Sequence, residues 1–91
     1  MEQSAAMEIT MTLDQLEPGR VAIVAAITGD PRLQTSLREI GFAELDEVEV
    51  LGRGPVGRSP ISVRLNRMTV ALRPNEAACI AVDLVSLEPA A

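Results

Sequence analysis

Histidine, lysine, tryptophan and tyrosine are absent from this chain of 91 residues, which has one cysteine and one phenylalanine. Without histidine or lysine, the chain cannot form a Ser-His-Asp triad, a Schiff-base lysine or the P-loop lysine that binds nucleotide phosphates. Acid-base catalysis would depend on carboxylates alone, and no isolated pair of them lies in apolar sequence that would tune one pKa. The sequence therefore predicts a protein without catalytic residues.

The shortage of cysteine and histidine also excludes the spacings of a zinc site. Carboxylates are densest at Glu44, Asp46, Glu47 and Glu49. Glu47 and Glu49 alternate with valines, which is typical of the solvent face of a strand. We therefore expect no metal site and no cofactor. Cys79 lies within "AACIAV", where we expect a small buried or half-buried strand residue rather than a nucleophile.

Composition favours one folded domain, because 47% of the residues are hydrophobic, 23% are charged and the mean hydropathy is +0.21. There is no apolar run long enough for a membrane helix, and the first residues, "MEQSAAMEITM", contain two glutamates and no basic segment. We expect a cytoplasmic protein with a flexible lead-in at 1–10, one domain at 11–86 and a frayed tail at 87–91.

Three segments have helical signals. Thr12 and Gln15 have the spacing of a capping box around one turn, and Pro18-Gly19 ends it. Asp30-Pro31 is a typical helix start, and Gly41 is suited to the left-handed residue that follows a helix of about three turns. Phe42 is expected to fold into the core. Residues 75–77 could form another single turn.

Alternating apolar residues predict five strands. The first covers 20–27, with Val21, Ile23 and Ile27 expected on one face and Val24 on the other. Three more form a meander whose inward residues are expected to be Val48, Val50, Ile61, Val63, Leu65, Met68, Val70 and Leu72, with a tight turn at Asn66-Arg67. A closing strand follows, in "CIAVDLV".

Five short strands with one helix after the first strand predict a small barrel, because one helix of three turns cannot cover the second face of an open sheet. Closure into a barrel would also hide the strand edges. The expected fold class is mainly β: a small barrel of about five strands with one-turn helical plugs.

Four stretches give the chain a resemblance to a known family. They are "LDQLEPGRVAIVAAITG", "LREIGF", "DEVEVLGRGPVGRSPISVRL" and "MTVALRPNEAACIAV", in this order over residues 13–82. In these stretches the chain resembles the FeoA family, ferrous iron transport protein A, whose domain also occurs in metal-dependent repressors. The resemblance implies an SH3-like barrel and a non-enzymatic role that supports the FeoB membrane transporter, with the transporter's cytosolic GTPase domain as partner.

For partner contacts we nominate residues by motif, since the resemblance supplies no catalytic residues. Pro55, Val56 and Gly57 are expected at the tip of the loop between two strands, and Leu45 lies after the helix. Val56 could be an anchor held out by its neighbours, or it could fold onto its own barrel.

Residues 50–75 contain Arg53, Arg58, Arg64, Arg67 and Arg73 and no acidic residue. Arg64 is expected to point outward, and with Arg58 it is a candidate contact for an acidic protein surface. Nucleic acid is the weaker alternative, because the net charge is −5 and no Tyr or Trp offers a stacking surface. A regulatory barrel that serves a metal-dependent repressor is the other alternative. The oligomeric state stays open.

Overall fold

The computed structural model describes residues 10–56 and 59–85, which form six strands and three short helical segments. In chain order these are β1 (Thr10–Thr12), a 3-10 turn (Leu13–Gln15), β2 (Val21–Ile27), α1 (Pro31–Ile40), β3 (Glu47–Val56), β4 (Ser59–Leu65), β5 (Met68–Leu72), α2 (Pro74–Ala77) and β6 (Ile80–Leu84). The expected mainly β class is confirmed. Residues 1–9 and 86–91, which include most of the expected lead-in and the whole expected tail, lie outside the described residues.

All strand pairs are antiparallel, in the order β1-β6-β2-β3-β4-β5. The three-residue β1 is a sixth strand in addition to the five expected. Strands β1 and β5 lie at the two ends of this order, and within the described residues they do not pair with each other. The edge of β5 is therefore open in the described part of the chain.

Helix α1 begins and ends as the sequence predicts. The Asp30 Oδ1 accepts a hydrogen bond from the Arg32 N–H at 2.8 Å. Gly41 follows the helix with φ of 129°, and its N–H donates to the Leu37 carbonyl at 3.2 Å. Phe42 is only 1% exposed, so the one aromatic side chain joins the core as expected.

The face assignment in β2 was partly wrong. Ala22, Val24 and Ile27 are buried, whereas Val21 and Ile23 are half-buried. The pairing register with β6 shifts between Val24 and Ala26. Because a bulge inserts one extra residue, it moves Ile27 to the face of Val24.

The turn between β4 and β5 forms at Asn66-Arg67, where Asn66 has φ of 54°. The expected inward position of Met68 was wrong, since this side chain is 47% exposed. Met68 begins the strand at the end of the sheet, where β4 and the end of α1 cover only part of its side chain. Leu72, at the other end of β5, is buried as expected.

The core contains only apolar side chains. Among the described residues no buried residue is polar or charged. Leu13 and Leu16 lie in this core. Cys79 is buried as expected, but it lies in the turn before β6 and not in a strand. No helix among the described residues combines the length and the hydropathy needed to cross a membrane.

Gly29 and Gly19 provide a matched pair for a stability test. Both have positive φ, 91° and 90°, but a Cβ on Gly29 would meet the Cys79 Sγ at 2.6 Å, whereas a Cβ on Gly19 has nothing within 4 Å. Gly19→Ala should cost about 1–2 kcal/mol through backbone strain alone. Gly29→Ala should cost more, because Cys79 must also move. Urea unfolding of both variants gives the difference in free energy.

The added cost at Gly29 has its own control in Cys79→Ala. In that background the sulfur is gone, so Gly29→Ala should cost about as much as Gly19→Ala costs in the parent chain. If the two glycine substitutions have equal cost in the parent chain, the contact with Cys79 does not constrain this turn.

Candidate functional site

The segment expected as a loop between β3 and β4 is largely a continuation of these two strands. β3 runs to Val56, and Val56 pairs with Ser59 at the start of β4. We call residues 51–56 with 59–61 the hairpin arm. Pro55 is exposed on it. Gly57 and Arg58 lie outside the described residues, as does the side chain of Val56, so these three nominations stay predictions.

Two shifts of register shape the arm. One falls between Val50 and Gly52, the other between Arg53 and Val56. Leu51 lies at the first shift and is 45% exposed. Alternation from Val48 and Val50 already places Leu51 on the outward face, and the bulge at this position twists the strand without turning the side chain inward.

The side chain of Arg53 connects the hairpin arm to the end of the 3-10 turn. Its Nη2 donates a hydrogen bond to the Leu16 carbonyl, at the end of the 3-10 turn. Its Nε is buried and has no hydrogen-bond partner among the described residues. Arg53 therefore has a structural contact within the chain, whereas the sequence grouped it with the arginines of a basic surface.

Leu45 is the most exposed large apolar residue of the described chain, at 81%. Its φ is 76°, a left-handed conformation that costs a leucine about 1–2 kcal/mol. Such strain persists only where the surrounding structure fixes it. Here the Leu45 N–H donates to the Val24 carbonyl at 2.8 Å, and the Val24 N–H donates to the Asp46 carbonyl, also at 2.8 Å.

Two hydrogen bonds between Ala43 and Asp46 close the turn that contains Leu45. The Ala43 N–H donates to the Asp46 Oδ2 at 3.0 Å, and the Asp46 N–H donates to the Ala43 carbonyl at 3.1 Å. These bonds hold the backbone on each side of Leu45 while its side chain projects into solvent. The nominated residue is thus an apolar side chain presented on a fixed backbone.

Two further exposed apolar side chains, Ile40 and Met68, lie at one end of the sheet. Met68 Cε would lie 3.4 Å from a Cβ built on Gly41, so Met68 packs beside the end of α1, next to Ile40. The Asn66 N–H donates to the Glu47 carbonyl at 3.2 Å, which brings the β4–β5 turn to the start of β3, two residues after Leu45. Sequence reasoning missed Met68 because alternation placed it inside.

Arg64 points away from the core as predicted, but it is already engaged. Its Nη2 lies 2.8 Å from the Glu49 Oε1 and 3.2 Å from the Glu47 Oε2, and its Nη1 donates to the Asn66 carbonyl at 3.1 Å. The hydrogen bond to Glu49, and then that to Glu47, raises the pKa of the Arg64 guanidinium. A partner that uses Arg64 must compete with these carboxylates.

A second ion pair lies directly before Leu45. The two Arg38 terminal nitrogens donate to the two Glu44 carboxylate oxygens at 3.2 and 3.0 Å. The hydrogen bond to Arg38 lowers the pKa of the Glu44 carboxyl. Both side chains are well exposed, so this pair orients the surface beside Leu45 and contributes little to stability.

Metal-ligating side chains are not clustered in the described residues, where no group of three Cys, Asp or Glu side chains could hold an ion. In the acidic run that begins at Glu44, Glu44 pairs with Arg38, whereas Glu47 and Glu49 pair with Arg64. What the described surface offers is a fixed apolar side chain, an exposed hairpin arm and ordered ion pairs, all of which suit contact with a macromolecule.

Comparison with known proteins gives one family. The sequence model of the FeoA domain matches residues 11–84. A search of curated protein sequences gave no match. Several solved structures share the fold, and the FeoA-like protein from Clostridium acetobutylicum has a TM-score of 0.78 at 23% identity, over 85% of this chain and 88% of that one.

Two other solved structures bear on function. Stenotrophomonas maltophilia FeoA, solved in complex with zinc, is 34% identical with a TM-score of 0.71, over 80% of this chain and 89% of that one. It is described as a prokaryotic SH3 domain protein and a candidate activating factor for ferrous iron transport. A manganese-dependent transcriptional repressor is 26% identical with a TM-score of 0.77, and the match covers 86% of this chain but 43% of the repressor. The SH3-like class is thereby confirmed.

Gly54 and Gly52 test whether the conformation of the arm depends on close backbone packing. A Cβ on Gly54 would lie 2.6 Å from the Ser59 carbonyl carbon and 2.8 Å from the Pro60 Cδ, whereas a Cβ on Gly52 meets nothing within 4 Å. Gly54→Ala should therefore displace the arm and shift the amide signals of its non-proline residues, 51–54, 56, 59 and 61. Gly52→Ala should leave the amide signals of residues 59 and 61 in place. Equal spectra for the two variants would contradict the packing.

Proposed function

The chain belongs to the FeoA family, and on that basis we propose that it is a non-enzymatic accessory protein of ferrous iron uptake. In this proposal it binds the cytosolic GTPase domain of an FeoB-type transporter, through which it modulates or assembles the transporter. Such a partner would place the chain in the cytoplasm, and membrane association would be indirect. The nucleotide chemistry would belong to the partner, which agrees with the absence of lysine and histidine here.

The observation that carries the proposal is Leu45, exposed at 81% on a backbone of positive φ. An apolar side chain with this exposure has no role in the core, and its conformation costs free energy. Buried apolar anchors supply much of the binding energy at protein interfaces. A partner groove that covers Leu45 would repay that cost.

The hairpin arm is the second part of the proposed contact. Pro55 and Leu51 are exposed on it, and the proposal also includes the nominated Val56, Gly57 and Arg58. Arg64, in the adjoining β4, would exchange one of its glutamates for an acidic residue of the partner. Because arginine and carboxylate pairs fix register more than they add affinity, Arg64 would orient the complex.

A second candidate function is a regulatory module for a metal-dependent repressor. It is favoured by the similarity to the manganese-dependent repressor, 43% of whose chain the match covers. In that case the binding partner would be a segment of a DNA-binding protein. The two candidate functions differ in which partner, the GTPase domain or the segment of the repressor, contacts Leu45.

The experiment is a titration of isotope-labelled protein with the GTPase domain of an FeoB-type transporter and, separately, with duplex DNA at low and moderate salt. The proposal expects the GTPase domain to shift the amide signals of Leu45, of the arm and of residues 61–65. If those signals stay unchanged with the GTPase domain and move with DNA, the proposal fails.

Leu45→Asn gives a sharper prediction, because it separates folding from binding. Asparagine tolerates positive φ, so the variant should gain about 1 kcal/mol of stability. Loss of the apolar side chain should weaken binding of the GTPase domain by about tenfold or more. Leu45→Met is the matched control, and it should keep both values near those of the parent chain. A Leu45→Asn variant that binds normally would remove Leu45 from the interface.

A further inference from the structure

The outer edge of β5 is open in the described structure. β5 ends the sheet and pairs with β4 alone. Backbone hydrogen bonds outside the strand ladders and helices include none from residues 68–72. An open edge of this kind is a template for an added strand.

The backbone groups that face outward can be assigned from the hairpin. Leu65 and Met68 flank a two-residue turn and are directly opposite each other. Residues that flank such a turn form a hydrogen-bonded pair, and in an antiparallel ladder these pairs alternate with unbonded ones. Thr69 and Ala71 therefore direct their N–H and C=O groups away from β4, and both residues are exposed.

Arginines stand at both ends of this edge. Arg67 precedes β5 and Arg73 follows it, so they are about 20 Å apart along the strand. Both are exposed, and neither side chain has a hydrogen bond or ion pair among the described residues. Arg64, by contrast, is held by Glu47 and Glu49. No acidic residue occurs between 50 and 75, and the next one, Glu76, uses its Oε1 to accept a hydrogen bond from the Arg73 backbone N–H at 2.8 Å.

These charges identify the kind of strand that would fit. A second copy of the chain is disfavoured, because antiparallel pairing of two β5 strands would set Arg67 of each copy beside Arg73 of the other. Parallel pairing would set each arginine beside its equivalent. Nucleic acid offers phosphates to the arginines but no peptide groups for Thr69 and Ala71. An extended peptide with acidic residues at its ends offers carboxylates to the two arginines and peptide groups to Thr69 and Ala71.

We propose that β5 is a docking edge for an extended acidic segment of another protein, which adds a strand beside Thr69 and Ala71 and pairs its carboxylates with Arg67 and Arg73. This site uses none of the residues nominated for the first contact, which are Leu45, Arg64 and those of the hairpin arm. Its failure would leave the proposed function intact, because the variants that test the two do not overlap.

The probe is a capped heptapeptide of sequence Asp-Thr-Val-Thr-Val-Thr-Asp, whose carboxylates match the six-residue separation of the two arginines. Titration into labelled protein should shift the amide signals of Thr69 and Ala71 and slow their exchange with solvent. The same peptide with lysines in place of the aspartates should bind at least about tenfold more weakly, because its charges then repel the edge.

Two variants test the two halves of the site. Arg67→Gln combined with Arg73→Gln should weaken binding of the acidic peptide by about tenfold and reduce its salt dependence. Ala71→Pro removes an outward N–H at a position where an edge strand tolerates proline, and it should abolish binding. Arg20→Gln combined with Arg32→Gln is the matched control, since these arginines are exposed and unpaired among the described residues.

Several outcomes would overturn the proposal. One is absence of binding at peptide concentrations up to about 5 mM, which is weaker than any useful peptide contact. Others are equal affinity for the acidic and basic peptides, or shifts confined to Leu45 and the arm. Self-association through β5 in sedimentation, or displacement of the peptide by duplex DNA at moderate salt, would assign the edge to a second copy or to nucleic acid.

Discussion

Val24 exchanges two backbone hydrogen bonds with Leu45 and Asp46, and the arrangement of this fold depends on them. They bring the chain that leaves α1 back onto β2 and fix where β3 begins. Ala22 then lies opposite Val48, and Val48 lies opposite Leu65, so the register passes from β2 through β3 to β4. The same two bonds hold Leu45 in its left-handed conformation, so one feature both sets the register and presents an apolar side chain.

The composition of the core explains why a few backbone hydrogen bonds set the register of the whole sheet. Its side chains are aliphatic apart from Phe42 and Cys79, and among the described residues none that is buried is polar. Apolar contacts are not directional. Register and direction must then come from the backbone bonds at turns and bulges, such as those at Gly29, Gly41 and Asn66, where positive φ fits the residue type. Leu45 is the exception to that match.

Structural features that follow a repeating sequence pattern could be predicted, and departures from such a pattern could not. Alternation identified the first half of β3 and most of β4, but not their continuation into the hairpin arm, and capping signals gave both ends of α1. The shift of register that turns Ile27 inward has no signal in composition, because a bulge is selected by the neighbouring strand. Position at the end of the sheet likewise exposed Met68. For the site, the sequence nominated Leu45 and the outward direction of Arg64, but not the glutamates that hold Arg64.

The strain at Leu45 is large for a domain of this size. A chain of 91 residues is typically stable by about 5–14 kcal/mol, so a cost of about 1–2 kcal/mol is a substantial fraction. Glycine or asparagine would remove that cost without disturbing a core that Leu45 does not enter. Selection for stability alone would therefore favour either residue over leucine. An exposed leucine at such a position supports the proposed contact with another molecule, to which the ordered Arg38–Glu44 pair beside it would give a charged border.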